Sequence, residues 1–268
     1  MKTVASFITD KGPVREKNED YFCVDAGLGL YAVADGIGGH TAGEVASRMA
    51  VEVIKDFLSN EEKYEGDKAE GYRDDYSRES NMVAEAVRRA NTAIHETSKN
   101  NSSYRGMGTT LTAALIRGDR LSIAHVGDSR AYLIRTSCIE QITNDHSLVA
   151  EQVKMGLISD EEARNSKIKN VITRSLGNTP HVEVDIEEFS IADGDRIIIC
   201  SDGITSVISD SDILSIASAS GGPADLCKTL VKRAADAGCT DNMTVVALHV
   251  YKDVLSYLYH FTTDFFRS

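Results

Sequence analysis

The chain of 268 residues reads as an α+β protein with antiparallel sheets. Two observations predict this. Strand-like and helix-like segments come in blocks instead of alternating one for one, which disfavours a parallel α/β arrangement. Several strand-like runs are also joined by short, Gly-containing turns of the kind that link antiparallel neighbours.

The first block holds three strands, Thr3 to Thr9, Tyr21 to Asp25 and Gly29 to Ala34, with Gly and Pro at the turns. Val45, Met49, Val53 and Phe57 then recur every fourth residue, and Val83, Ala86, Val87, Ala90 and Ile94 form a second apolar stripe, so two amphipathic helices are expected. The segment between them, residues 60–79, is highly charged and almost free of aliphatics, and is expected to be a solvated surface loop. Thr109 to Arg117, Leu121 to Val126 and Ala131 to Arg135 read as an antiparallel meander with hairpin signals at Gly118-Asp119 and Gly127-Asp128. Short polar helices around Val149 to Met155 and Ser159 to Asn165 suit a surface flap, taken as residues 147–180. Strands resume at Val182 to Phe189 and Arg196 to Ser201. Ser209 with Asp212 signals a capped helix through Ser218, and a further helix over Ala224 to Ala237 precedes a last strand, Thr244 to Val250. Tyr251, Val254, Leu258, Phe261 and Phe265 keep helical spacing, which predicts an amphipathic extension over 251–268 that packs on the protein itself or docks on a partner.

With 42% hydrophobic residues, the chain has material for one large folded unit. A formal charge of -12 and the lack of Lys and Arg clusters disfavour nucleic acid and anionic membranes as partners. Cys23, Cys138, Cys200, Cys227 and Cys239 are isolated, without CxxC or Cys/His ligand spacing, as expected of reduced, mostly core thiols in a cytoplasmic protein. Neither a signal peptide nor a membrane-spanning run is legible.

Asp20, Asp35, Asp128, Asp202 and Asp241 each stand at an end of an apolar, strand-like run, beside a turn residue. One aspartate in a turn is usually structural, because Asp bonds its own backbone there. Five in the same setting predict one acidic site assembled from strand ends. Such carboxylates repel one another unless a cation lies between them, and an all-oxygen ligand set suits Mg²⁺, Mn²⁺ or Ca²⁺ better than zinc. Two such ions would make a hydrolytic centre.

The acidic residues fall within an ordered series: RxxNED at 15–20, DGIGGHTAGE at 35–44, GTT at 108–110, GDSRAYL at 127–133, DHS at 145–147, ITRSLG at 172–177, CSDG at 200–203 and TDNMT at 240–244. Over roughly residues 3–250 this series resembles the metal-dependent Ser/Thr protein phosphatases of type 2C (PPM), bacterial branch. The resemblance implies a sandwich of two antiparallel sheets between outer helices, four layers in all, with a two-metal centre at one end. It implies a phosphatase domain over 1–250 and a core pair of Mn²⁺ or Mg²⁺ ions. Asp35 would bridge both ions, the Gly36 carbonyl would add a ligand, and Asp202 and Asp241 would hold one ion. Asp20, and Glu19 through water, would belong to the second, and Asp128 to a third, looser one. Arg15 would contact the substrate phosphate and His40 would act as general acid. The implied substrates are phosphoserine and phosphothreonine proteins, the targets of a Ser/Thr kinase.

The chemistry agrees with these roles. A phosphate dianion nearing five carboxylates is repelled until cations invert the local charge. Arg15 offers a planar fork matched to phosphate oxygens, and a departing serine or threonine alkoxide needs a proton that His40 can give. His95, His125, His146 and His249 read as structural, Ser129 as a turn residue, and Asp145 as orienting nearby backbone or His146. Three other motifs fail on context: GxGxxG would need glycine at Thr41, the near-GxSxG at Gly127 lacks its last glycine, and no GxxxxGK[ST] loop is present. Ser175 stands where the family pattern leads one to expect alanine, and the 60–79 loop is long for the bacterial branch, as a regulatory or docking element would be. A phosphatase dedicated to one regulatory phosphoprotein is compatible with the same residues, and the rival from another class is a non-catalytic metal or phosphopeptide binding module of the same fold.

Overall fold

The structure, a computed structural model, describes residues 1–38, 42–66, 71–164 and 166–253. Two five-stranded antiparallel sheets face each other. The first runs β1 (Lys2–Asp10), β12 (Met243–Tyr251), β11 (Arg196–Cys200), β8 (Arg130–Arg135), β9 (Cys138–Gln141). The second runs β10 (Asp185–Ser190), β7 (Arg120–Val126), β6 (Leu111–Arg117), β3 (Leu30–Ala34), β2 (Tyr21–Asp25). A two-residue pair, β4 (Gly36–Ile37) with β5 (Gly108–Thr109), stands apart from both.

Three apolar cores define four layers. Strand β11 shows how one run serves two of them: its side chains alternate, so Ile197 and Ile199 enter the core between the sheets while Ile198 and Cys200 enter the core under the helices. Burial on both faces is why this strand is an unbroken apolar run. Strand β3 does the same, with Tyr31 and Val33 between the sheets and Leu30, Ala32 and Ala34 toward α1 (Ala42–Ser59) and α2 (Arg78–Asn100). Helices α5 (Asp202–Thr205), α6 (Asp210–Ala219) and α7 (Pro223–Asp236) cover the first sheet. The α6 start is capped as expected, Asp212 N–H donating to Ser209 Oγ at 3.2 Å.

The expected α+β sandwich is therefore present, with three local corrections. The 109–135 segment is not one meander. Strands β6 and β7 form a hairpin, but the chain crosses at Gly127-Asp128 into the other sheet, where β8 pairs with β11 and β9. The strand expected from Val182 begins only at Asp185, because side chains occupy the backbone ahead of it: Asn91 binds the carbonyls of Thr179 and Pro180, and Arg174 binds that of Glu183. The charged 60–79 segment is anchored, with Tyr64 buried in the α1/α2 core and Glu61 paired with Arg78 and Arg117, although residues 67–70 lie outside the described set. Strands β9 and β4 and the single turn α5 were too short to be read from periodicity.

The segment expected to form the flap, 147–180, contains α3 (Leu148–Lys154) and α4 (Asp160–Arg164), its base closed by a bridge between Ser147 and Ile172. Four cysteines are buried and Cys138 is exposed. No described helix is long and apolar enough to cross a membrane. Tyr251 closes β12, so it belongs to a strand and not to the expected helical extension, and residues 254–268 lie outside the described set.

Ile199 is fully enclosed between the sheets. Ile199→Ala should cost about 2–5 kcal/mol, whereas Leu157→Ala on the exposed flap should stay within about 0.5 kcal/mol, as read by urea unfolding midpoints.

Candidate metal centre

The strand registers bring the expected acidic residues to one end of the sandwich. Tyr21 pairs with Ala34, so Asp20 and Asp35 leave the second sheet side by side. Cys200 pairs with Val245 on one side and Arg130 on the other, so Asp202, Asp241 and Asp128 leave the first sheet at that same end. Asp35 is central: its carboxyl feels the charges of Asp20, Asp202, Asp128 and Asp241.

This gathering is costly without a cation. Burial raises Asp35 well above the ordinary carboxylate range, and the four neighbouring carboxylates add to it. Burial also pushes Asp20 up to about 7, despite hydrogen bonds from Thr244 and Ser201. It pushes Asp128 up to about 8, with Asp202 and Asp145 adding to the effect. Asp202 rises to about 6 through burial and Asp241, opposed by a hydrogen bond shared with Asp35. Burial likewise raises Glu19. Three carboxylate oxygens, Oδ1 of Asp20, Asp128 and Asp202, are buried without any hydrogen-bond partner among the described residues. Buried polar atoms are almost always partnered, so three orphaned oxygens at one site fit the ligand set of a divalent cation. Among the described residues, no three Asp, Glu, His or Cys side chains already close around one point. That is compatible with hard ions such as Mg²⁺ that keep much of their water and take only one or two carboxylates each.

The supporting frame contains residues that the spacing of acidic groups did not single out. Thr110 accepts from the Asp35 N–H at 3.0 Å and donates its own N–H to the Asp35 carbonyl at 2.8 Å. Thr109 adds a hydroxyl to that carbonyl at 2.8 Å. The backbone of Asp35 is thus clamped without any of these bonds drawing on its carboxyl. Ser201 Oγ donates to Asp20 at 2.7 Å. Asn242 accepts from the Glu19 N–H at 2.8 Å and donates to the carbonyls of Lys11 and Lys17, which fastens the 11–19 loop to the start of β12. The GTT, CSDG and TDNMT motifs held these residues in view, but no charge marked their roles.

Gly36 admits no side chain: a Cβ there would lie 2.3 Å from the Gly43 carbonyl oxygen and 2.6 Å from that of Glu19. This contact seats the start of α1 against the acidic end. Arg15 reaches the site from the 11–19 loop and donates to Asp241 at 2.6 Å, with half of its side chain in solvent. Asp145 does not orient His146. It accepts a two-pronged hydrogen bond from Arg130, at 2.9 and 2.7 Å, and a third bond from Gln141. Ser129 is buried at the sheet crossing and bonds Thr110. His40 lies outside the described residues.

A cavity of about 1210 Å³ opens from Asp128 and Asp202 and runs between the flap, at Glu151, Lys154 and Lys169, and the loop after α5 near Ser206. It is large enough to take a peptide segment beside the acidic end.

A family model for protein phosphatase 2C matches residues 14–230. The chain belongs to the protein phosphatase 2C family. The resemblance seen in the motifs is borne out over most of its length. Among 2C phosphatases, protein phosphatase PhpP of Streptococcus pneumoniae is 36% identical over 251 residues, 92% of this chain and 98% of that protein. Serine/threonine phosphatase stp of Listeria monocytogenes is 34% identical over 251 residues, 90% of this chain and 94% of its own. The crystal structure of the Mycobacterium tuberculosis serine/threonine phosphatase PstP/Ppp superposes with a TM-score of 0.83 at 34% identity, covering 94% of this chain and all of that one. The catalytic domain of PstP in complex with two manganese ions gives a TM-score of 0.80 at 35% identity, covering 93% and 99%.

The raised carboxyls set a pH dependence. The folded, metal-free 2C domain holds protons that the unfolded chain releases above its carboxylate value of 3.8, so its stability must fall as pH rises from about 4 toward 8. In EDTA, the melting temperature should be lower at about pH 8 than at about pH 6, and Asp35→Asn should flatten that slope. A melting temperature that rises over this interval would contradict the arrangement.

Proposed function

We propose that this phosphatase hydrolyses phosphoserine and phosphothreonine on proteins with the aid of Mn²⁺ or Mg²⁺. The observation that carries the reading is the set of three orphaned carboxylate oxygens at the strand-end cluster of a 2C chain. Asp35 with the Gly36 carbonyl, Asp202 and Asp241 would hold the core ions, Asp20 and Glu19 would complete the second ion's surroundings, and Asp128 would serve a third. The two manganese ions of the related PstP domain support this assignment. When bound, the ions supply the positive charge that admits phosphate and a water acidified for attack on phosphorus.

The chain's own groups do the rest. Arg15 positions the phosphate with its planar donor fork. Its ion pair with Asp241 is half exposed, and such pairs are worth only about 0–1 kcal/mol, so exchange for a phosphate oxygen costs little. His40 protonates the departing serine or threonine oxygen. The cavity under the flap receives the polypeptide on either side of the phosphorylated residue, and the flap thereby selects among targets of a Ser/Thr kinase. The domain responsible spans 1–250, and the protein works in the cytoplasm.

A phosphothreonine peptide incubated with the purified protein and Mn²⁺ should release phosphate, and EDTA should abolish the release. Manganese uptake measured without turnover would favour the binding module instead. His40→Ala should slow phosphopeptide hydrolysis by about 10²–10⁴-fold but affect para-nitrophenyl phosphate far less, because nitrophenolate leaves without protonation. Equal losses on both substrates would remove His40 from the acid role.

A further inference from the structure

We propose that His146 is the positioning residue for Asp128, tying the base of the flap to the turn that presents this carboxylate. The inference rests on the reading of Asp128 as a metal ligand. Asp128 sits where the chain passes from β7 in one sheet to β8 in the other, a crossing made by Gly127, Asp128 and Ser129. No ladder hydrogen bonds run through that crossing, so its shape must come from elsewhere.

Part of it comes from Gly127, which has φ +115° and lies so close to Thr110 that a Cβ would meet the Thr110 Cβ at 2.5 Å. Thr110 and Thr112 hold Ser129, through its hydroxyl at 2.8 Å and its carbonyl at 2.9 Å, and His146 holds Gly127. The Gly127 N–H donates to His146 Nδ1 at 2.9 Å, and the His146 N–H donates to the Gly127 carbonyl at 2.7 Å. This closes a ring of two hydrogen bonds on the residue just before Asp128.

The same imidazole faces the flap. Nδ1 accepts from Gly127, which leaves the ring proton to Nε2, and Nε2 lies 3.2 Å from Asp185 Oδ2 and 3.0 Å from Arg174 Nη1. Arg174 donates to the other Asp185 oxygen at 2.6 Å. Burial alone would raise Asp185, yet the bonds from His146 and Arg174 hold it down at about 2. The His146 main chain also carries the flap base: its carbonyl accepts from the Thr173 N–H at 2.8 Å, next to the Ser147 and Ile172 bridge. The side chain is buried, and its ring packs on that of His125 with centroids 4.9 Å apart. A space-filling histidine needs one polar partner. Here both nitrogens are committed, one to the Asp128 turn and the other to the paired Arg174 and Asp185 at the end of the flap, and this double commitment separates positioning from packing.

Asparagine can place its amide oxygen where Nδ1 stands, and glutamine can place its amide nitrogen near Nε2, so two substitutions divide the two bonds. Manganese titrations of the whole protein by calorimetry, with ¹⁵N-resolved hydrogen exchange of the Gly127 amide in EDTA, read the outcome. Asp128→Ala should weaken or remove the weakest manganese step. His146→Asn should keep both that step and the Gly127 protection. His146→Gln should lose the protection and weaken the step about tenfold or more, within the range of about 10–100-fold seen when residues behind a metal ligand are replaced. If the Gln variant binds manganese like the parent and keeps its Gly127 amide protected, His146 merely fills space and the proposal is overturned. If Asp128→Ala leaves every step unchanged, it is the metal role of Asp128 that fails. Gly127 exchange in the Asn and Gln variants then still decides whether His146 holds the turn, and it does so even if His146→Ala does not fold.

Discussion

Like-charge repulsion at one end of the sandwich is the constraint around which the structure is arranged. Asp20, Asp35, Asp128, Asp202 and Asp241 come from both sheets, and each sits just outside a strand whose interior is clad in aliphatic side chains. The apolar cores supply the free energy that keeps these groups together, and burial is the largest cause of the raised affinity for protons at Asp20, Asp35, Asp128 and Asp202. Stability is thus spent on a site that bound cations or protons relax, a trade common at functional centres.

The carboxylates are held by their backbones more than by their side chains. Thr109 and Thr110 secure the main chain of Asp35, Asn242 secures that of Glu19, and the Gly36 contact fixes the start of α1. A metal ligand restrained in this way keeps its oxygen lone pairs available while losing little conformational entropy on binding. Arg15 is the exception. It arrives on a loop and is held by a single exposed ion pair, as suits a group that must change partners.

Much of this was legible in the chain. The 3.6 and 2.0 periodicities marked both long helices and most strands, and Ser209 with Asp212 marked a helix start that the structure contains. The acidic residues stood out because each broke an apolar run. The missing pieces share a cause: they are decided by partners distant in sequence. Nothing local shows that the Gly127 turn joins two sheets instead of two neighbours in one, since that depends on β8 meeting β11 some 60 residues later. The late start of β10 depends on Asn91 and Arg174, and the anchoring of the charged segment depends on Tyr64 entering a core built by other helices. Asn242 and Thr110 carry no charge, so only their hydrogen bonds disclose them.

The placement of the thiols gives the molecule a ready experimental handle. Burial holds Cys23 at about 11 and Cys200 and Cys227 at about 12, so these sulfurs stay protonated and shielded near neutral pH. Cys138 alone faces solvent, at the start of β9 and opposite Arg135 in the ladder with β8. A maleimide dye will therefore attach at one point of the wild-type protein, on the hairpin whose other strand begins at Arg130, the partner of Asp145. That point lies at the end of β8 far from Asp128, so a reporter can be placed outside the acidic site without removing a single native cysteine.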